Sequence, residues 1–118
     1  MSSNTPNTPH PLTAAEAIEM AASGQLQLID VRELAELTAS GKAQGALHIP
    51  LAQVAAKTAP DSPEKLSQLS TQTPVAIYCA MGGRARKAAE VMTQLGYAKV
   101  YNIGGFSDWQ QAGGPVSA

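Results

Sequence analysis

The chain has 118 residues, 44% of them hydrophobic, which is enough for one domain with its own buried core. A net charge of -1 argues against nucleic acid or an anionic membrane as the main partner, and no apolar run approaches the roughly 20 residues that span a bilayer. One cysteine can form neither an internal disulfide nor a multi-cysteine metal site, so it is either a small buried side chain or a reactive thiol.

Residues 1–11 are polar and proline-rich, with no apolar leader. They read as a disordered tail that contains an inert His10, and they set the expectation of a cytoplasmic protein whose single domain covers 12–118. Thr13-Ala-Ala-Glu16 is a capping box, so a helix is expected from there to about residue 23, ended by Gly24. Residues 26–31 are bulky enough for a strand inside a sheet, with Asp30 and Arg32 at its carboxyl end. Residues 33–40 are helix-forming, with Leu34 and Leu37 on one face and Gly41 as terminator.

A second short strand is expected at 46–49, stopped by Pro50, and a weak helical turn at 53–58. Ser62-Pro63-Glu64 carries a helix-start signal, Ser as cap and Pro at the first helical position, and predicts a helix through Leu66 and Leu69. Residues 75–78 form a short apolar run typical of a strand covered on both faces. A glycine loop follows, opened by Cys79, and then a helix whose apolar face is Ala88, Val91, Met92 and Leu95, ended by Gly96. A strand at 100–103, a break at Gly104-Gly105 and a last short helix at 106–112 with Trp109 complete the pattern, and 113–115 end it. Strands alternating with helices predict an α/β domain with a mainly parallel sheet.

The chemistry concentrates in Cys79-Ala80-Met81-Gly82-Gly83-Arg84. Cys79 falls at the carboxyl end of a strand and just before a helix, where open α/β sheets place their sites. Two adjacent glycines let successive N–H groups converge on one point as an anion nest, and the helix dipole adds to it. Arg84, Arg86 and Lys87 are basic residues in a first helical turn, where positive charge is unfavourable unless an anion sits there. The ensemble fits a nucleophilic thiolate acting on an anionic substrate. The plainer readings are a buried inert cysteine, an ordinary glycine turn and, for Lys87, a solvated helix face. His48 reads as a partly exposed strand residue, and with no second His or Cys nearby no metal is expected. Asp30 and Arg32 read either as an ordinary ion pair or as a brace for the loop.

Four stretches in order resemble the rhodanese family of sulfurtransferases, specifically its single-domain bacterial members. These are Leu28-Ile-Asp-Val-Arg-Glu33, Gly45-Ala-Leu-His-Ile-Pro-Leu51, the Cys79–Arg84 loop, and Gly104-Gly-Phe-Ser-Asp-Trp109 with Ala112-Gly-Gly-Pro-Val116. The resemblance implies a three-layer α/β domain, helices on both faces of the sheet, and a Cys79 persulfide as the intermediate. Thiosulfate would be the anionic donor, and cyanide, a thiol or a protein the acceptor. The amides of Ala80, Met81, Gly82, Gly83, Arg84 and Ala85 would cradle the sulfur, and Arg84 would close the loop. Asp30 and Arg32 would be supporting residues, no cofactor would be needed, and a monomer would suffice. The chain departs from the family pattern at Gly41-Lys42-Ala43, where Gly-His-Ile is usual, and at Ala80-Met81, where many thiosulfate users carry a basic residue. A cysteine phosphatase or arsenate reductase is the enzymatic rival, but its loop spaces the pair as Cys-x5-Arg, whereas Arg84 gives Cys-x4-Arg and position 85 is Ala. A non-catalytic binding or sulfur-relay module is the other.

Overall fold

The computed structural model describes residues 10–117. In chain order its elements are β1 (His10–Pro11), α1 (Ala14–Ala22), β2 (Gln27–Asp30), α2 (Leu34–Ser40), β3 (Lys42–Ala43) and β4 (Leu47–His48). A 3-10 turn (Leu51–Gln53) leads into α3 (Val54–Thr58), followed by β5 (Val75–Cys79), α4 (Gly83–Gln94), β6 (Val100–Gly105), α5 (Phe106–Gln111) and β7 (Val116–Ser117).

Five strands form one sheet in the order β1-β6-β5-β2-β4, and every pairing in it is parallel. The middle strand is β5, buried at all its positions, as expected of a strand covered on both faces. Its side chains alternate between two cores. Val75, Ile77 and Cys79 join Ile29, Val31, Val54 and the α4 residues Ala85, Ala88, Ala89 and Met92 on one face. Ala76 and Tyr78 join Leu28, Ala17 of α1, and Phe106 and Trp109 of α5 on the other. Helices therefore cover both faces, and Cys79 ends the central strand.

The capping box at the start of α1 forms as read: Glu16 N–H donates to Thr13 Oγ1 at 3.1 Å, and Thr13 N–H to Glu16 Oε1 at 2.9 Å. Gly41 ends α2 with a left-handed φ of 79°, a conformation that suits glycine. Yet α2 buries none of its residues, and Leu34 is 67% exposed, so its Leu34–Leu37 face is not a core face. Its ends hold it in place. Gly41 N–H donates to the Leu37 carbonyl at 2.7 Å, and the Arg32 guanidinium donates to Ser40 Oγ and the Gly41 carbonyl.

Four expectations are corrected. Gly104-Gly105 does not break the strand, because β6 runs through both glycines and Gly105 pairs with Cys79. The segment 62–69 is a chain of turns, not a helix. Ser62 Oγ does accept the Glu64 N–H at 3.1 Å, but Leu66 N–H turns to the Lys57 carbonyl at 3.0 Å and Leu69 is buried against the α3–α4 core. A non-local bond and one buried leucine outweigh the local start signal. The residues after Gly114 do not simply end the fold, because β7 pairs antiparallel with β3, Ala43 opposite Val116. Finally, the tail reading extends too far: His10 and Pro11 pair with Tyr101 and Asn102 at the sheet edge, while residues 1–9 lie outside the described part of the chain. No helix among the described residues is long and apolar enough to cross a membrane.

Candidate active site

Cys79 is 1% exposed and faces Gly105 of β6 across an irregularity in the β5–β6 register. The chain leaves β5 at Cys79, and Gly82, at φ 103°, turns it into α4. That left-handed turn aims two N–H groups back at the cysteine. Gly82 donates to Sγ at 2.9 Å and Ala85 at 3.4 Å, and among the described residues these are the amides that reach the sulfur. The loop is therefore an anion nest with Sγ inside it, built from backbone donors at a helix N-terminus.

Neighbouring elements fix the loop from behind. Asn102 Nδ2 donates to the Gly82 carbonyl at 3.3 Å, while its Oδ1 accepts the Gly104 N–H at 2.8 Å. The Ala80 carbonyl lies against the Cα of Gly105, in the space a Cβ would need. Asp108 holds that glycine from the other side by accepting its N–H at 2.8 Å. Gly83 has open space around it, and Met81 projects from the loop with 93% of its surface exposed.

Arg84 does not point at the sulfur as an unpaired cation. Its two terminal nitrogens donate to the two carboxylate oxygens of Glu36 at 2.8 and 2.9 Å, a bidentate pair. The Glu36 carboxylate also accepts the Glu33 N–H at 2.8 Å, closing the capping box of α2. Arg84, then this N–H, hold the Glu36 carboxyl down at about 2, and Glu36 in turn raises Arg84 above its ordinary range. The basic first turn thus has a counter-ion within the protein, while Arg86 and Lys87 are exposed.

Asp30 and Arg32 form a buried pair, 0% and 3% exposed, linked through both carboxylate oxygens. The guanidinium stacks over the Phe106 ring at 4.4 Å and the Tyr78 ring at 5.7 Å. Its hydrogen bonds go to Asp30, Ser40 and the Gly41 carbonyl, none of them in the Cys79 loop. The pair braces the corner at Ser40 and Gly41 beside α2, which carries Glu36, and also packs against Tyr78, the residue before Cys79. His48 is the partly buried strand residue expected, with Nε2 donating to the Arg32 carbonyl at 2.7 Å.

Sequence reasoning missed Glu36, Asn102 and Asp108. The capping-box spacing Glu33–Glu36 was a visible signal for Glu36, but nothing local ties it to an arginine 48 positions away. Asn102 sits in a strand with no local signature, whereas Asp108 was visible within the Gly104–Trp109 stretch and as an acid in the first turn of a short helix.

The model of the rhodanese-like domain matches residues 13–112. The thiosulfate sulfurtransferase GlpE of Actinobacillus succinogenes is 33% identical over 106 residues, covering 89% of this chain and 87% of its own. Among solved structures, the human single-domain sulfurtransferase superposes with a TM-score of 0.73 at 26% identity over 92% of this chain and 97% of that one. A Rhodopseudomonas palustris protein of unknown function, described as a possible tyrosine phosphatase, superposes at 0.83 with 30% identity over 92% and 85% of the two chains. The parallel sheet, the cysteine at the end of its central strand and these likenesses agree, and the chain belongs to the rhodanese-like domain family of sulfurtransferases.

Proposed function

We propose that Cys79 carries sulfane sulfur as a persulfide, taking it from a donor such as thiosulfate and passing it to a thiophilic acceptor: cyanide, a thiol or a protein. The observation that carries this reading is the pair of N–H groups on Sγ, one from Gly82 in the six-residue Cys79–Arg84 stretch and one from Ala85 in the first turn of α4. Those donors stabilise negative charge on sulfur, both on the attacking thiolate and on the persulfide that replaces it. In the first half-reaction the thiolate attacks the outer sulfur of thiosulfate, a new S–S bond forms, and sulfite leaves with the electron pair of the broken one. In the second, the acceptor nucleophile attacks the outer sulfur of the persulfide and the Cys79 thiolate leaves. Two small steps replace one transfer, and no electron is gained or lost overall.

The phosphatase alternative needs a loop that wraps a tetrahedral oxyanion and an arginine free to clamp it. Here the loop is one residue shorter, and Arg84 is tied to Glu36. Intact mass after incubation with thiosulfate tests the proposal: a single-sulfur gain of about 32 Da, reversed by cyanide, is expected. Cys79→Ser removes both the adduct and the transfer while leaving the thermal transition in place. Transfer retained in that variant, or turnover of an aryl phosphate without any sulfur adduct, overturns the reading.

A further inference from the structure

We infer that Glu36 is a specificity-determining residue: by pairing Arg84 it cancels the cation at the loop, so that Cys79 takes sulfur from organic persulfides in preference to dianionic thiosulfate. The inference rests on the persulfide reading above and deepens it. The geometry leaves Arg84 little freedom, since both terminal nitrogens are committed to one carboxylate. That carboxylate is itself locked by the Glu33 N–H, so the pair is fixed to the N-terminus of α2 rather than held by side chains alone. Cys79 and Glu33 also lie within electrostatic range of Arg84, so Glu36 weakens a charge that would otherwise face the sulfur. The front of the loop contributes Ala80 and a fully projecting Met81, neither of them charged. Arg86 and Lys87 are exposed, where water and salt screen them.

The sulfur is thus met by neutral backbone dipoles, an exposed thioether side chain and a cancelled cation. A thiosulfate ion brings two negative charges to the attacking thiolate with only those dipoles to offset them. An organic persulfide in its protonated form brings none. The transfer balances directly: the Cys79 thiolate attacks the outer sulfur of R–S–SH, a Cys79 Sγ–S bond forms, the donor S–S bond breaks, and R–S⁻ leaves with the electron pair. The proton stays on the transferred sulfur. Glu36 touches neither donor nor sulfur in this scheme, and acts through the availability of Arg84.

The experiment compares loading of Cys79 by thiosulfate and by N-acetylcysteamine persulfide, which has no carboxylate, in the wild type, Glu36→Gln and the double variant Glu36→Gln/Arg84→Gln. Adduct mass against time gives the ratio of the two loading rates. Freeing one cation within electrostatic range of Cys79 shifts that ratio about tenfold toward thiosulfate in Glu36→Gln. The shift disappears in the double variant and shrinks on raising the salt concentration, because a freed charge is screened. A purely structural role for Glu36 would slow both donors together and leave the ratio alone. Should Glu36→Gln fail to fold, the wild type decides: its thiosulfate loading depends only weakly on salt, and a steep fall would mean that a free cation already serves the donor. Adduct formation with an unchanged ratio overturns this inference alone. No adduct from either donor in the wild type overturns the persulfide reading and this inference with it.

Discussion

Gly105→Ala isolates the contribution of loop position to sulfur transfer. Gly105 has an extended backbone, φ -112° and ψ 164°, which any residue adopts, so the substitution stores no backbone strain. What it meets is the Ala80 carbonyl, which occupies the place of the new Cβ, with Met81 Cα next at 3.4 Å. Ala80 directly follows Cys79, and the loop continues to the Gly82 amide on Sγ, so any retreat of that carbonyl moves the nest. A displacement of about 1 Å at a reacting centre lowers rate by about a hundredfold. The added methyl costs about 1–3 kcal/mol of stability as overpacking. The assay follows Cys79 loading by thiosulfate through intact mass, with thermal unfolding in parallel. The control is Gly45→Ala. Gly45 has φ 85° and open space around it, so that variant carries backbone strain without touching the loop. Loading in Gly105→Ala within about threefold of the wild type refutes the argument that the Ala80–Gly105 contact sets the position of the nest. So does an equal loss in Gly45→Ala, which would trace the effect to stability alone.

Asp30→Ala leaves the 3%-exposed Arg32 guanidinium without its carboxylate, and urea unfolding is expected to show a loss of about 3–5 kcal/mol. Replacing both partners by apolar residues recovers much of that loss, and a single-variant loss below about 1 kcal/mol would make the pair a minor contributor. The Glu36–Arg84 pair has a pH signature. The Glu36 carboxyl is lowered from 4.5 to about 2, so the pair's contribution is complete above pH 4.5 and is lost as the pH falls toward 2. With both side chains about one-third exposed, that contribution stays below about 1 kcal/mol. Thermal midpoints of the wild type and Glu36→Gln should therefore separate at neutral pH and converge near pH 2, and a gap independent of pH would contradict the assignment.

The parts of the fold that are legible in the sequence are those whose signals are local and agree with the tertiary packing. The Thr13–Glu16 box, the apolar face of α4 and the uninterrupted β5 run each specify an element that the cores also require. At 62–69 the two disagree: the start signal is present, but burying Leu69 and satisfying the Lys57 carbonyl demand turns. Strands β1, β3 and β7 are two residues each, too short for a period of two to show. Tertiary pairing alone makes them strands.

The candidate site divides along the same line. Cys79, the glycines and the helix start are contiguous, and their roles follow from the backbone they can adopt. By sequence, Arg84 ends that loop and its charge is explained by an anion that arrives with the substrate; in the structure it lies in the first turn of α4. The structure supplies a different counter-ion, Glu36, held 48 residues away in sequence by an α2 that buries no side chain of its own. Such a helix has no hydrophobic reason to lie where it does. Its caps, the Arg32 bonds to Ser40 and Gly41, and the Arg84 pair fix its position. Asp30 and Arg32 border the Cys79 loop on two sides, at Ser40 and Gly41 beside α2 and at Tyr78 in β5. Asp30→Ala is therefore expected to slow Cys79 loading by both donors, read as adduct mass against time, and a shift in donor ratio with unchanged rates would place the effect in Glu36 alone.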